Sequence, residues 1–422
     1  AAKGQVQVAM HVVKHSPHSI WGLLATTGPS SRPHYAVDHL HPSFAAKLFP
    51  YLAQQFVSGK LEMPDEGSLE LLIERAMQAK QPAAALDMLQ AAQNQAKAHQ
   101  LEQQHEQPRE HRQQRQHGQR QGGEQQRQRL LLSVGGLSKL FRVAASRGHT
   151  GVVRYLLQQG TDVLPLFLDN GRPRPIIDAS VAPMIFSHLA QQYAAGSLPA
   201  LSSRDLPVVL LEAVRRSQPD ACIRLLCTAA ARPSEAQTAA AASAIILWEA
   251  ALHGQPSVVM HVAHHYGASL LWPIFEACAN PSSAVVHDAV LHIAGQVSAG
   301  AEELDSRRLG LLVHKAAKHH DQEACAAILA VAEQQQVQLI AEDSRMALQA
   351  CMHAGCPAEL VSLLLRAGAA LDRSHLSSLA NRAASTDLDT VLELLLEAGA
   401  VISTALVSST VEALACSCLA VL

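Results

Sequence analysis

Residues 144–160 read AASRGHTGVVRYLLQQG, and the order of residue types in this stretch decides the fold. The small pair Ala144-Ala145 lets a helix approach its neighbours closely. Gly148-His149 breaks that helix in a turn. Val152, Val153, Leu156 and Leu157 then recur on one face at helical spacing, and Gly160 stops the second helix. The stretch therefore predicts two helices joined by a tight turn, each with an apolar side that cannot be buried by one such unit alone.

Further copies supply the missing surface. AALHGQPSVVMHVAHHYGA from Ala250, ACMHAGCPAELVSLLLRAGA from Ala350 and AASTDLDTVLELLLEAGA from Ala383 follow the same order. Anchoring on the small residue places units at Ala9, Ala45, Ala76, Ala144, Ala179, Ala213, Ala250, Ala277, Ala316, Ala350, Ala383 and near Ala415. Most spacings fall between 31 and 39 residues, and Ala250 to Ala277 is 27.

The pattern resembles the ankyrin repeat, which has small Ala residues in its first helix, Gly-His at the turn, and V-V-x-x-L-L followed by G-A in its second helix. The family's P-L-H-x-A opening is echoed by PIIDA at 175–179, PIFEA at 273–277 and, more faintly, PSFAA at 42–46. The resemblance implies an all-α, ankyrin-like α-solenoid of about twelve helix-pair repeats. It further implies a scaffold or adaptor of the cytosol or nucleus that holds another protein on the concave face of the array. The chain departs from the family in two ways: the threonine of T-P-L-H is absent, and finger-forming turns are recognisable only around DNGRP at 169–173.

A longer period is superimposed on the short one. SHLAQQYAAGSL before Ala213 matches PYLAQQFVSGKL before Ala76 and LHIAGQVSAGAEEL before Ala316, so units recur in threes. Ala213 and Ala316 are 103 residues apart, whereas Ala76 and Ala213 are 137 apart. The excess matches a polar insertion.

That insertion is residues 99–129, where Leu101 is the single apolar residue among Gln, Arg, His and Glu. With nothing to bury, it is expected to be disordered or a frayed helix. The chain thus reads as N-terminal repeats over 1–98, a Gln/Arg-rich low-complexity insertion over 99–129, and a main array over 130–422. Both ends are expected to cut through repeats. Residues 1–37 lack Asp and Glu, which fits a sparsely charged repeat or a transit segment.

Composition agrees with helices: apolar residues are 48% of the chain while aromatics are 4%, which favours close-packed Ala/Leu helices over strands. A net charge of -3 gives no overall pull toward nucleic acid. The insertion's Arg109, Arg112, Arg115, Arg120, Arg127 and Arg129 are partly offset by Glu102, Glu106, Glu110 and Glu124, and no aromatic is present to stack on bases. Nucleic acid is thus an unlikely partner, with weak RNA contact through the insertion as the alternative. The longest apolar stretches, 239–252 and 413–422, are too short or too polar to cross a bilayer. The eight cysteines lie in apolar helical patterns and read as reduced core residues.

No catalytic constellation emerges. The chain has no G-x-S-x-G, P-loop, dinucleotide fingerprint, kinase set or H-E-x-x-H. No catalytic, cofactor-binding or metal-binding residue and no small-molecule substrate is therefore assigned, and the alternative reading is the regulatory portion of a larger enzyme. Histidines do cluster, at His11/His15/His18, His34/His39/His41, His261/His264/His265 and His314/His319/His320. Zinc would also want Cys or carboxylate partners and a hydrogen-bonded group behind each ligand, and nothing like H-E-x-x-H appears.

In a repeat array, specificity resides in first-helix and turn residues that the framework does not use. The candidate partner contacts are accordingly Arg142, Ser146, Arg147 and His149 in the clearest unit, and His253, Lys315, Lys318, His319, His353 and Arg382 further along. Trp248 and Trp272 are expected in the core.

Overall fold

The structure, a computed structural model, describes residues 10–11, 14–15, 42–62, 64–106, 132–168, 177–278, 280–352, 357–367, 371–385 and 388–402. Among them the fold is all-helical, with no strand. The chain divides into two compact units at Ala195/Gly196.

The first unit contains α1 (Pro42–Val57), α2 (Glu66–Gln78), α3 (Pro82–Glu106), α4 (Val134–Ser146), α5 (Thr150–Gln158), the single turn α6 (Pro165–Leu168) and α7 (Ala182–Ala194). Helix α2 pairs with α3 and α4 with α5; α2 then packs on α4, and α3 on α5. Helices α1 and α7 extend the second-helix row by packing on α3 and α5. The α2/α3 hairpin precedes the polar insertion and the α4/α5 hairpin follows it, so the insertion interrupts a continuous stack. Helix α3 runs into the insertion as far as Glu106. The remainder of the insertion lies outside the described residues, as do DNGRP, Ala9 and Ala415.

Among its described residues the second unit holds six hairpins. Their first helices are α8 (Asp205–Arg215), α10 (Ala236–Leu252), α12 (Trp272–Ala277, led by a 3-10 turn over Ala268–Leu271), α14 (Ser306–Lys318), α16 (Ala341–Cys351) and α18 (Arg373–Ser385). Their second helices are α9 (Pro219–Ala231), α11 (Pro256–Tyr266), α13 (Ser283–Ser298), α15 (Gln322–Gln334), α17 (Ala358–Ala367) and α19 (Asp389–Glu397). Each first helix packs on the next first helix and each second helix on the next second helix, which makes two rows.

The turns explain why the anchor residues are small. Ala76, Ala144, Ala213, Ala250 and Ala316 are all fully buried. Four residues after each comes a backbone in the left-handed region: Lys80, Gly148, Ser217, Gly254 and His320, with φ between 54° and 70°. The next amide then donates back to the anchor's carbonyl, as in His149 N to Ala144 O at 3.0 Å and Gln255 N to Ala250 O at 2.9 Å. This is the Schellman closure, which satisfies carbonyls that a helix end leaves open. Second helices begin just after it, behind Pro219 and Pro256 or behind Asp321, whose carboxylate accepts from Ala324 N.

The three-unit block is visible in the burial pattern. Leu52, Ala53 and Phe56 of α1 match Leu189, Ala190 and Tyr193 of α7 and Ile293, Ala294 and Val297 of α13, all buried. Each set is followed by a left-handed glycine, Gly59, Gly196 or Gly300.

Some anchors need correction. Ala45 is buried, but α1 belongs to the second-helix row, so PSFAA does not open a first helix. Ala179 is an exposed turn residue, and Asp178 before it is tied to the preceding hairpin, its N donating to Ala145 O at 2.9 Å. Ala277 is exposed and Ala350 half-buried, while the next residues, Cys278 and Cys351, take the buried small position.

Candidate partner-binding surface

The first-helix row presents the candidate contacts, and packing sorts them. In the first unit, Ser146 is exposed, with its hydroxyl donating to Val143 O at 3.0 Å, and Arg147 is exposed at the end of α4. Arg142 is half-buried on α4. His149 is also half-buried and is used internally: its Nε2 donates to the Met77 carbonyl of the preceding hairpin at 2.9 Å.

In the second unit His253 is exposed, 3.4 Å from the Glu249 carboxylate, and Arg382 is half-buried on α18. His353 lies outside the described residues. Lys315 departs from expectation: it is buried, and its ammonium donates to the Cys278 carbonyl at 2.7 Å. Burial, with Lys318 nearby, lowers its pKa. Lys318 is exposed but reaches Asn280 Oδ1 at 2.6 Å. His319 is half-buried, hydrogen-bonded to the Pro281 backbone and held below the usual imidazole pKa by burial. These three residues stitch α14 to the loop that ends the previous hairpin's first helix. Of the candidates, Ser146, Arg147, His253 and Lys318 are exposed, Arg147 and Lys318 each with a hydrogen bond to a neighbouring hairpin.

The structure adds residues that sequence reading passed over. On α10, Ile245 is 51% and Leu252 49% exposed. With exposed Ala241 and half-buried Trp248 they occupy positions 241, 245, 248 and 252, the spacing of a coiled-coil seam. Helix α10 is AQTAAAASAIILWEAAL, apolar around most of its circumference, whereas a surface helix needs one apolar face. That excess was the available signal. Beside the seam, Arg215 of α8 donates to Glu249 at 2.6 Å, placing a charge pair at the edge of the apolar strip. Trp248 is thus less buried than expected, whereas Trp272 is buried with the Arg308 guanidinium 4.6 Å above its ring.

Among the described residues, no helix is long and apolar enough to cross a membrane. Compared with protein-family models and with curated proteins, the chain matches none.

Proposed function

We propose that the chain is an ankyrin-like repeat scaffold that binds another protein through the outward face of its first-helix row. One observation carries this reading: the exposed seam of Ala241, Ile245, Trp248 and Leu252 on α10, bordered by Arg215, Glu249 and His253. Packing within the chain leaves these apolar side chains in water, and a partner's apolar side chains would remove them from it. Ile245 and Leu252 are already about half buried, so completing their burial contributes about 1 kcal/mol each. The charge pair beside the seam supplies orientation rather than bulk affinity.

The direct test is site-specific photocrosslinking. A photoreactive residue at position 245 should capture one protein in stoichiometric yield, and the same residue at exposed position 230 on α9 should not. Ile245→Asp with Leu252→Asp should abolish binding of that protein while preserving helical content. Equal capture from both positions, or binding indifferent to the double substitution, would remove the seam from the proposal.

A further inference from the structure

Two grooves of the second-helix row in the first unit are bordered by similar residues and end differently. Between α3 and α5 the polar groups satisfy one another, with Gln93 hydrogen-bonded to both Tyr155 and Gln159. Between α5 and α7 a cavity of about 300 Å³ remains open, with Leu157 and Met184 as apolar wall and Arg154, Gln158, His188 and Gln191 as polar lining. Arg154 and Gln158 are four apart on α5, and Met184, His188 and Gln191 recur at four and three on α7, so each helix presents one stripe. None of the four polar side chains makes a hydrogen bond or ion pair among the described residues. His188 Nε2 is moreover shut off from solvent without a partner. Such a group has given up its hydrogen bond to water and received nothing in return, which folded proteins seldom leave uncompensated.

We propose that this groove binds an acidic peptide segment of a partner protein: Arg154 and His188 hold one carboxylate side chain, and the amides of Gln158 and Gln191 hold the peptide main chain on either side of it. The site lies in the first unit and on the second-helix row, so it is additional to the α10 seam.

The chemistry of the lining selects this ligand. Arg154 is exposed, and no carboxylate lines the cavity beside it. Its guanidinium presents two parallel N–H donors that match the two oxygens of a carboxylate. With its proton on Nε2, His188 adds a third donor to the same acceptor. A glutamine amide carries one acceptor oxygen and an N–H donor, the pair that a peptide unit also presents. Gln158 and Gln191 stand on opposite walls, so a chain running between α5 and α7 meets one amide on each side. The cavity is at the small end of the range of about 300–1,000 Å³ for ligand pockets, enough for one side chain and the peptide units that flank it. Burial lowers the His188 pKa, so its ring is neutral at neutral pH and the lining carries the single positive charge of Arg154. One charge suits a carboxylate, whereas a phosphate dianion is met by clusters of arginines.

Fluorescence anisotropy on the full chain tests this with a labelled probe peptide carrying one glutamate between two leucines, and with its glutamine and phosphoserine counterparts. The glutamate peptide should bind at least about tenfold more tightly than the glutamine peptide, the factor that a hydrogen bond to a charged group is worth. Arg154→Gln should erase that preference. His188→Leu should weaken the glutamate peptide severalfold, and His188→Gln, which keeps a donor, should restore most of the loss. Gln158→Ala with Gln191→Ala should weaken the glutamate and glutamine peptides alike, and Ile245→Asp with Leu252→Asp should change neither. Circular dichroism should show each variant folded. Equal binding of the glutamate and glutamine peptides, or a preference that survives in folded Arg154→Gln, would overturn the site. So would tighter binding of the phosphoserine peptide, which would make the ligand a phosphate, or loss of binding in the Ile245/Leu252 variant, which would put the peptide on the seam.

Discussion

His149 and Met77 are 72 residues apart and belong to successive hairpins, yet His149 Nε2 lies 2.9 Å from the Met77 carbonyl oxygen. Gln255 does the same in the second unit, its side-chain amide donating to the Val214 carbonyl. In both cases the donor follows the left-handed turn residue and the acceptor lies one residue after the preceding hairpin's anchor alanine. Equivalent residues thus tie one turn to the next.

This predicts that His149→Ala lowers stability by about 1 kcal/mol, the net value of such a bond. His149→Gln should restore most of it, because glutamine performs this role at position 255. Urea denaturation of both variants checks the claim, and a glutamine variant as weak as the alanine one would contradict it.

The left-handed turn positions are not all occupied by glycine. Ser217 has φ 54° and Lys80 φ 59°, a region that costs a residue with a Cβ about 1–2 kcal/mol. After the added flexibility of glycine in the unfolded chain, Ser217→Gly and Lys80→Gly should each stabilise by about 0.5–1 kcal/mol. Gly148→Ala should destabilise by more, since its Cβ would also stand 2.8 Å from Asp178 Oδ1 and Ser180 Oγ. Thermal melts of the three variants should rank them in that order.

How much of this was legible depended on what each residue type reveals. Small anchors and Gly-His turns fix helix contact and helix termination, so the α4/α5 hairpin and the anchors Ala76, Ala144, Ala213, Ala250 and Ala316 could be read directly. At Ala277 and Ala350 the rule held but the letter misled, because Cys278 and Cys351 serve equally well as small buried residues. Lys315 was misjudged because charge argues for exposure, whereas a long aliphatic stem can be buried while its ammonium finds a carbonyl. The α10 seam escaped because an Ala-rich helix looks like core when its neighbours are unknown, and the α5/α7 groove because its lining comes from two helices a full repeat apart.

Histidines give the chain opposed pH responses. Asp321 accepts from His287 Nδ1 at 2.8 Å and raises the His287 pKa above 6.5. Its stabilising contribution is complete below 6.5 and is lost as pH rises through the raised folded value. Burial lowers His314 and His319, so the unfolded chain binds their protons more readily and stability falls as pH drops below 6.5. His287→Asn should therefore cost most in mildly acidic buffer and least in alkaline buffer, whereas His314→Asn should flatten the acid loss. Urea midpoints across pH decide this, and parallel profiles for the two variants would contradict it.

The central claim is that hairpins are held by their neighbours. Leu156 is fully buried on α5, which packs on α3, α4 and α7. Leu156→Ala should cost about 2–5 kcal/mol through lost transfer energy and the cavity left behind. Hydrogen exchange of this variant is the measurement that tests the claim most directly. A neighbour-coupled array predicts lost protection over residues 137–195 with α17 and α19 little changed. Equal loss of protection throughout the chain would mean a single cooperative core and would contradict the account.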